Sequence, residues 1–65
     1  MTFTFKSETV NGYTVSMEQE KFSNYFTVYI FTPYGTTYRK SNPQPDMKRA
    51  KATYRRYRKE IQDLA

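Results

Sequence analysis

The chain has 65 residues, a net charge of +5 and neither cysteine nor histidine. This length allows one domain with a thin core, and the missing residue types exclude a disulfide framework and the usual zinc sites. They also remove the commonest general base and two common nucleophiles, so we expect no catalysis, metal or cofactor. No apolar run could span a membrane, the start shows no signal-peptide pattern, and the lack of cysteine fits the cytoplasm.

The first part of the chain predicts a hairpin of two strands. Apolar and polar residues alternate over 2–10 and again over 13–19, which is the pattern of half-buried strands. Asn11 and Gly12 stand between these runs. Both residue types tolerate positive φ, which a type I′ turn requires at its two central positions. The sequence therefore predicts a two-residue turn that joins antiparallel neighbours.

This turn creates a conflict of register in the first strand. It pairs Val10 with Tyr13, and strict alternation from there puts Phe3 and Phe5 on the face opposite the apolar residues of the second strand. A bulge near Ser7 would reset the alternation and return both rings to the apolar face. In the alternative, the two rings cover the opposite face of the sheet.

A third strand is predicted over 25–32, and a Pro-Tyr-Gly turn leads to a fourth over 36–40. The third strand is apolar on both faces, which is typical of a central strand. One face carries Phe26, Val28 and Ile30, and the other carries Tyr25, Thr27, Tyr29 and Phe31. The fourth strand ends in Arg39 and Lys40, charges that protect a sheet edge from aggregation.

A proline-rich connection over 41–45 then leads to an amphipathic helix over about 46–64, with Asp46 as its N-cap. Residues spaced 3-4-3-4-3 form one stripe that should face the core. They are Met47, Ala50, Tyr54, Tyr57, Ile61 and Leu64. The predicted fold is α+β, with an antiparallel three- to four-stranded meander packed on one C-terminal helix in a single domain, 1–65.

The rest of the helix surface carries a concentrated positive charge. Its cations are Lys48, Arg49, Lys51, Arg55, Arg56, Arg58 and Lys59. Like charges one turn apart repel, although Glu60 could offset some of this by pairing with Arg56. Segregated charge of this kind favours a polyanionic partner: nucleic acid, an acidic protein face or anionic lipid. A solvated face that only keeps the protein soluble is the alternative.

The run NYFTVYIFTPYGTTYRK, followed by a helix, resembles the N-terminal arm-DNA-binding domain of tyrosine recombinases over residues 24–64. In that family a three-stranded sheet backed by one helix docks in the major groove. The resemblance implies sheet-face contacts by Tyr25, Thr27, Tyr29, Arg39 and Lys40. The same order of elements, with Lys48-Arg49-Ala50-Lys51 opening the helix, also resembles the C-terminal part of double-stranded-RNA-binding domains.

These observations predict a small nucleic-acid-binding protein, with DNA favoured over RNA, of phage or mobile-element origin. Either the sheet face reads bases or the basic helix lies on or in a groove, because the two surfaces should point in opposite directions. The alternative is a protein-interaction module, a small inhibitor or adaptor that uses its Tyr-rich sheet and basic helix on an acidic protein surface. We expect a monomer or a weakly associating homodimer.

Overall fold

The computed structural model describes residues 2–20 and 23–64 and contains a four-stranded antiparallel sheet with one helix. The elements are β1 (Thr2–Val10), β2 (Tyr13–Glu20), β3 (Phe26–Phe31), β4 (Thr37–Lys40) and α1 (Met47–Gln62). The strands lie in the order β1-β2-β3-β4, so β2 and β3 are central and β1 and β4 are edges. The α+β fold and its meander are confirmed. The helix is not long and apolar enough to cross a membrane, and the described residues contain no other.

The turn between β1 and β2 has the predicted geometry. Asn11 has φ 54° and Gly12 has φ 84°, and Val10 pairs with Tyr13. Glycine is favoured at position 12 for a second reason: a Cβ atom there would lie only 3.1 Å from Cγ of Pro33, in the turn between β3 and β4. The two hairpin turns therefore meet at one end of the sheet.

A bulge does reset the alternation in β1, but it lies at Phe5 rather than near Ser7. The pairing shifts between Thr4 and Lys6, and both Phe rings are thereby turned to the helix side of the sheet. The Phe3 and Phe5 ring centroids are 4.8 Å apart, and Phe5 lies 5.4 Å from Phe26. The alternative in which the two rings cover the opposite face is therefore wrong.

The core lies between α1 and the two central strands. Its buried side chains are Val15, Met17, Val28, Ile30, Ala50, Tyr54, Tyr57 and Ile61. Met47 packs against this cluster while remaining partly exposed, so five of the six predicted stripe residues face the sheet. Leu64 does not, because the helix ends at Gln62 and the Leu64 side chain is 44% exposed. The prediction that the apolar stripe of α1 covers the core is confirmed.

The connection from β4 to α1 is irregular, yet the sheet holds it closely. Ser41 donates its backbone N–H to the Val28 carbonyl, and its hydroxyl oxygen accepts from the Val28 N–H, each at 2.9 Å. Gln44 then forms an isolated bridge with Phe26. The hydroxyl serves as the acceptor for the Val28 N–H at the point where the irregular connection leaves the ladder of the sheet. The start of α1 is thereby fixed beside β3.

Both ends of α1 are capped by side chains. Asp46 Oδ1 accepts from the Arg49 N–H at 2.8 Å, which confirms it as the N-cap. At the other end, Asn11 Nδ2 donates to the carbonyls of Ile61 at 3.0 Å and Gln62 at 3.1 Å. The last carbonyls of a helix have no partner within the helix, so the β1–β2 turn satisfies two of them.

Candidate nucleic-acid interface

Six cations occupy the exposed surface of α1, on the side away from the sheet. This surface, called the outer arc below, consists of Lys48, Arg49, Lys51, Arg55, Arg56 and Lys59. All six are exposed, whereas the opposite side of the helix is buried. Among the described residues, Arg49 is the one member with an ion-pair partner, Asp46 at 3.7 Å. The outer arc is therefore a one-signed surface with little internal compensation.

Arg58, the seventh predicted helix cation, lies apart from this arc. Its Nε donates to Glu8 Oε2 at 2.8 Å, and the Tyr54 hydroxyl donates to Glu8 Oε1 at 2.9 Å. The hydrogen bonds from Arg58 and Tyr54 lower the pKa of Glu8, and the bond to Glu8 raises the pKa of Arg58. Burial, with the bond to Glu8, raises the pKa of Tyr54. These three side chains link β1 to α1, so Arg58 contributes to the stability of the fold.

Arg39 lies on the helix side of the sheet, and the expectation that it shares a face with Tyr25 and Tyr29 is wrong. It pairs across the sheet with Ile30, a core residue, while Lys40 pairs with Tyr29 on the other face. The Arg39 guanidinium forms an ion pair with Glu60 and lies 5.6 Å from the centroid of the Tyr57 ring. Glu60 was expected to pair with Arg56, but in the structure it pairs with Arg39.

The face of the sheet away from α1, the open face below, brings the other four predicted sheet residues together. Tyr25, Thr27, Tyr29 and Lys40 line a groove of about 400 Å³. Tyr25 is 53% exposed. The Tyr29 ring is stacked on Phe31 with centroids 5.6 Å apart, and Lys40 Nζ lies 5.7 Å from its centroid. Part of the Tyr29 surface is thus already occupied.

The open face carries much less charge than the helix. The positive charge of Lys40 is offset there by the negative charge of Glu18, which lies on the same face. Glu18 accepts a hydrogen bond from the Ser16 hydroxyl at 2.9 Å. Dispersed, near-neutral charge provides little attraction for phosphates, which dominate affinity for nucleic acid. The electrostatics therefore favour the helix surface over the open face.

Two clefts extend the basic surface on either side of α1. On the β1 side, Lys6, Lys51 and Arg55 border a cleft of about 240 Å³. Lys6 lies over the Tyr54 ring at 5.1 Å and is 3.7 Å from Glu8. On the β4 side, Arg39 and Arg56 border a polar cleft of about 370 Å³. Positive charge thus continues from β4 across the outer arc to β1.

Comparison with protein-family models, with curated proteins and with solved structures finds no match to this chain. The resemblances to recombinase arm domains and to double-stranded-RNA-binding domains therefore stay predictions from local pattern. In the described part of the chain, no three residues of the His, Cys, Asp and Glu types group closely enough to hold a metal ion.

Three features of the site were missed from the sequence. They are the Glu8–Tyr54–Arg58 trio, the Arg39–Glu60 ion pair and the cap that Asn11 provides. Each joins residues at least 21 positions apart. The sequence held a partial signal for the Glu8–Tyr54–Arg58 trio. Positions 6, 8 and 10 lie on the same face of a strand, so the pattern puts Glu8 on the core-facing side of β1.

Proposed function

We propose that this protein binds duplex DNA through the outer arc of α1, mainly by contacts to phosphates, and catalyses no reaction. The observation that carries the proposal is the grouping of six exposed cations on one helix surface, of which Arg49 alone has a described acidic partner. Lys51 and Arg55, and again Arg55 and Lys59, are like charges one turn apart, and each such pair opposes helix formation by a few tenths of a kcal/mol. A polyanion would relieve this repulsion.

The shape of the surface supports DNA over RNA. An α-helix fits the major groove of B-form DNA, whereas the major groove of A-form RNA is too deep and narrow for side chains to read. Ala52 is exposed among the cations of the outer arc, and its small side chain lets the helix backbone approach a groove closely. The side chains of the outer arc that can reach base edges are Arg and Lys, which pair with guanine, so we propose that phosphate contacts supply most of the affinity and that any base preference is for guanine.

Fluorescence anisotropy with a labelled DNA duplex, an RNA duplex and a single strand, each at two salt concentrations, tests this proposal. If all six cations of the outer arc contact phosphates, log K should fall against log salt with a slope of about −5. Absence of binding to all three at low salt would refute the proposal.

Matched variants separate the two surfaces. Lys59→Gln removes one charge from the outer arc and Lys40→Gln removes one from the open face, and glutamine has a helix propensity close to that of lysine. We expect Lys59→Gln to weaken binding to all duplex sequences alike and to reduce the magnitude of the salt slope by about 1, with a smaller effect of Lys40→Gln. The reverse order of effects would favour docking through the sheet.

The second candidate function is protein interaction through the open face. The supporting observation is the groove of about 400 Å³ with Tyr25 and Tyr29 on its wall, because exposed tyrosines are frequent anchors of protein interfaces. A second copy of the chain is one such partner. Light scattering with the wild type and with Tyr25→Ala tests self-association. A monomer at all concentrations would remove that form of the candidate.

A further inference from the structure

The cleft on the β4 side of α1, called the β4–α1 cleft below, gathers donors for an anion. Two guanidinium groups, from Arg39 and Arg56, border it, one from the sheet and one from the helix. Asn42, Gln44 and Thr53 add neutral polar groups to the same lining. Lys40 also borders it, although its ammonium lies over Tyr29 on the open face.

We infer that the β4–α1 cleft is a phosphate-binding site whose Arg39 guanidinium is bonded to the Glu60 carboxylate until a phosphate displaces that carboxylate. The inference rests on the proposed function in one respect: the phosphate expected there belongs to a DNA backbone. Guanidinium groups bind phosphate through paired hydrogen bonds, and amide and hydroxyl groups complete the coordination of its oxygens. Glu60 is bonded to Arg39, one of the residues that border the cleft, and its carboxylate has fewer oxygens and less charge than a phosphate.

Arg39 is positioned for this role by the fold. Its place in β4 is set by pairing with Ile30, and its guanidinium lies against the Tyr57 ring at 5.6 Å. Both contacts persist when Glu60 moves away, because neither involves that residue. The donor therefore stays in place when its anionic partner is exchanged.

The ion pair between Glu60 and Arg39 is open to water. The Glu60 side chain is 31% exposed and that of Arg39 is 52% exposed, so water competes for both partners. Ion pairs with this exposure are weak, and a phosphate with more charge and more acceptor oxygens can replace the carboxylate. Glu60 consequently acts as a built-in competitor that lowers the affinity of the cleft.

The decisive experiment compares Glu60→Gln with Asp63→Asn in binding to a DNA duplex. Each variant removes one negative charge from the C-terminal part of α1, and Asp63 has no described side-chain bond in the cleft. We expect Glu60→Gln to tighten binding by about two- to fivefold, which corresponds to loss of one exposed ion pair, and Asp63→Asn to change it much less. Equal effects of the two variants would mean that net charge alone acts, and would overturn the inference.

A backbone-amide NMR titration of the wild type provides a readout that does not depend on DNA binding. Inorganic phosphate and a DNA duplex are added in separate arms, and the resonances of Ser41, Asn42, Gln44 and Thr53 report on the cleft. Shifts there with both ligands support a general phosphate site, and shifts with the duplex alone assign the site to polynucleotide. Shifts confined to the outer arc with the duplex would overturn the cleft and leave the proposed function standing.

The opposite combination is also informative. If the duplex does not bind at low salt but inorganic phosphate shifts the cleft resonances, the proposed function fails and the cleft stands as a site for a small phosphorylated molecule. No shift at Ser41, Asn42 or Gln44 with either ligand would overturn the inference. Arg39→Gln should abolish the shifts seen with the wild type, and its far-ultraviolet circular dichroism shows whether the fold is kept.

Discussion

Asn11 Nδ2 donates to the carbonyl oxygen of Ile61 at 3.0 Å, which joins the β1–β2 turn to the end of α1. The same amide reaches the Gln62 carbonyl at 3.1 Å. One residue thus serves two structures that are 50 positions apart in the chain: its backbone takes the positive φ of the turn, and its side chain caps the helix. Four predictions follow from this contact and its neighbours.

Asn11→Asp should lower the free energy of unfolding by about 1–2 kcal/mol at neutral pH. Aspartate tolerates the same backbone conformation, so the turn is kept, but its carboxylate cannot donate and faces the negative end of the helix dipole. Urea unfolding followed by circular dichroism measures the effect. Asn42→Asp introduces the same charge at an exposed position and is the control. Equal stability of the two variants would contradict a capping role for Asn11.

Tyr54→Phe should destabilise the protein by about 0.5–1.5 kcal/mol, because it retains the buried ring and removes the hydrogen bond to Glu8. Tyr57→Phe is the matched control. The Tyr57 ring is buried like that of Tyr54, but its hydroxyl has no described hydrogen-bond partner within the protein. Chemical denaturation should therefore separate the two variants. A larger loss for Tyr57→Phe would show that the bond to Glu8 contributes little.

Glu8 should make stability depend on pH in the acidic range. Its pKa is lower in the folded protein than the ordinary value of 4.5, because Arg58 and Tyr54 donate to its carboxylate. A group of this kind stabilises fully above its unfolded pKa, and the contribution disappears as pH falls through the folded pKa. Unfolding midpoints measured from neutral pH down to below 4.5 should fall less steeply for Glu8→Gln than for the wild type. Glu18→Gln, on the open face, is the control, and identical slopes for all three proteins would refute the prediction.

Gly12→Ala should be more destabilising than Gly35→Ala. Both glycines have positive φ, 84° and 86°, so either alanine incurs about 1–2 kcal/mol of backbone strain. At position 12 the new methyl group would also lie 3.1 Å from Pro33, whereas a Cβ at position 35 meets nothing within 4 Å. The difference between the two unfolding free energies isolates the contact between the turns. Equal losses would show that Pro33 yields at little cost.

Local rules explain what could be predicted from the sequence. The Asn-Gly turn and the 3-4-3-4 spacing of the helix stripe depend on neighbours within a few residues, and both were found. The bulge lies at Phe5, whose ring contacts Phe26, and alternation alone does not reveal that position. Residues near each other in sequence thus predicted the elements, and residues far apart determined the details.

The site was predicted less completely for the same reason. The face on which Arg39 lies follows from a shift of pairing between β3 and β4, and no residue type signals that shift. The diversion of Arg58 from the cationic surface depends on Glu8, which lies 50 residues earlier. Charge counting located the basic helix, but the acidic partners of Arg58 and Arg39 became visible only in the three-dimensional arrangement.

The helix that covers the core follows the sheet in the chain, and this order has a consequence for synthesis on the ribosome. Val15, Val28 and Ile30 are made first, and the side chains that cover them, from Ala50 to Ile61, emerge only after the whole sheet. A nascent chain that has reached Lys40 has a complete sheet sequence with an uncovered apolar face, which favours association with chaperones or other chains. Arrest of translation at successive distances after Ile61, through a C-terminal linker, followed by protease treatment, should show protection appearing abruptly once Ile61 has left the exit tunnel. Stable folding of the sheet thus waits for the helix to emerge.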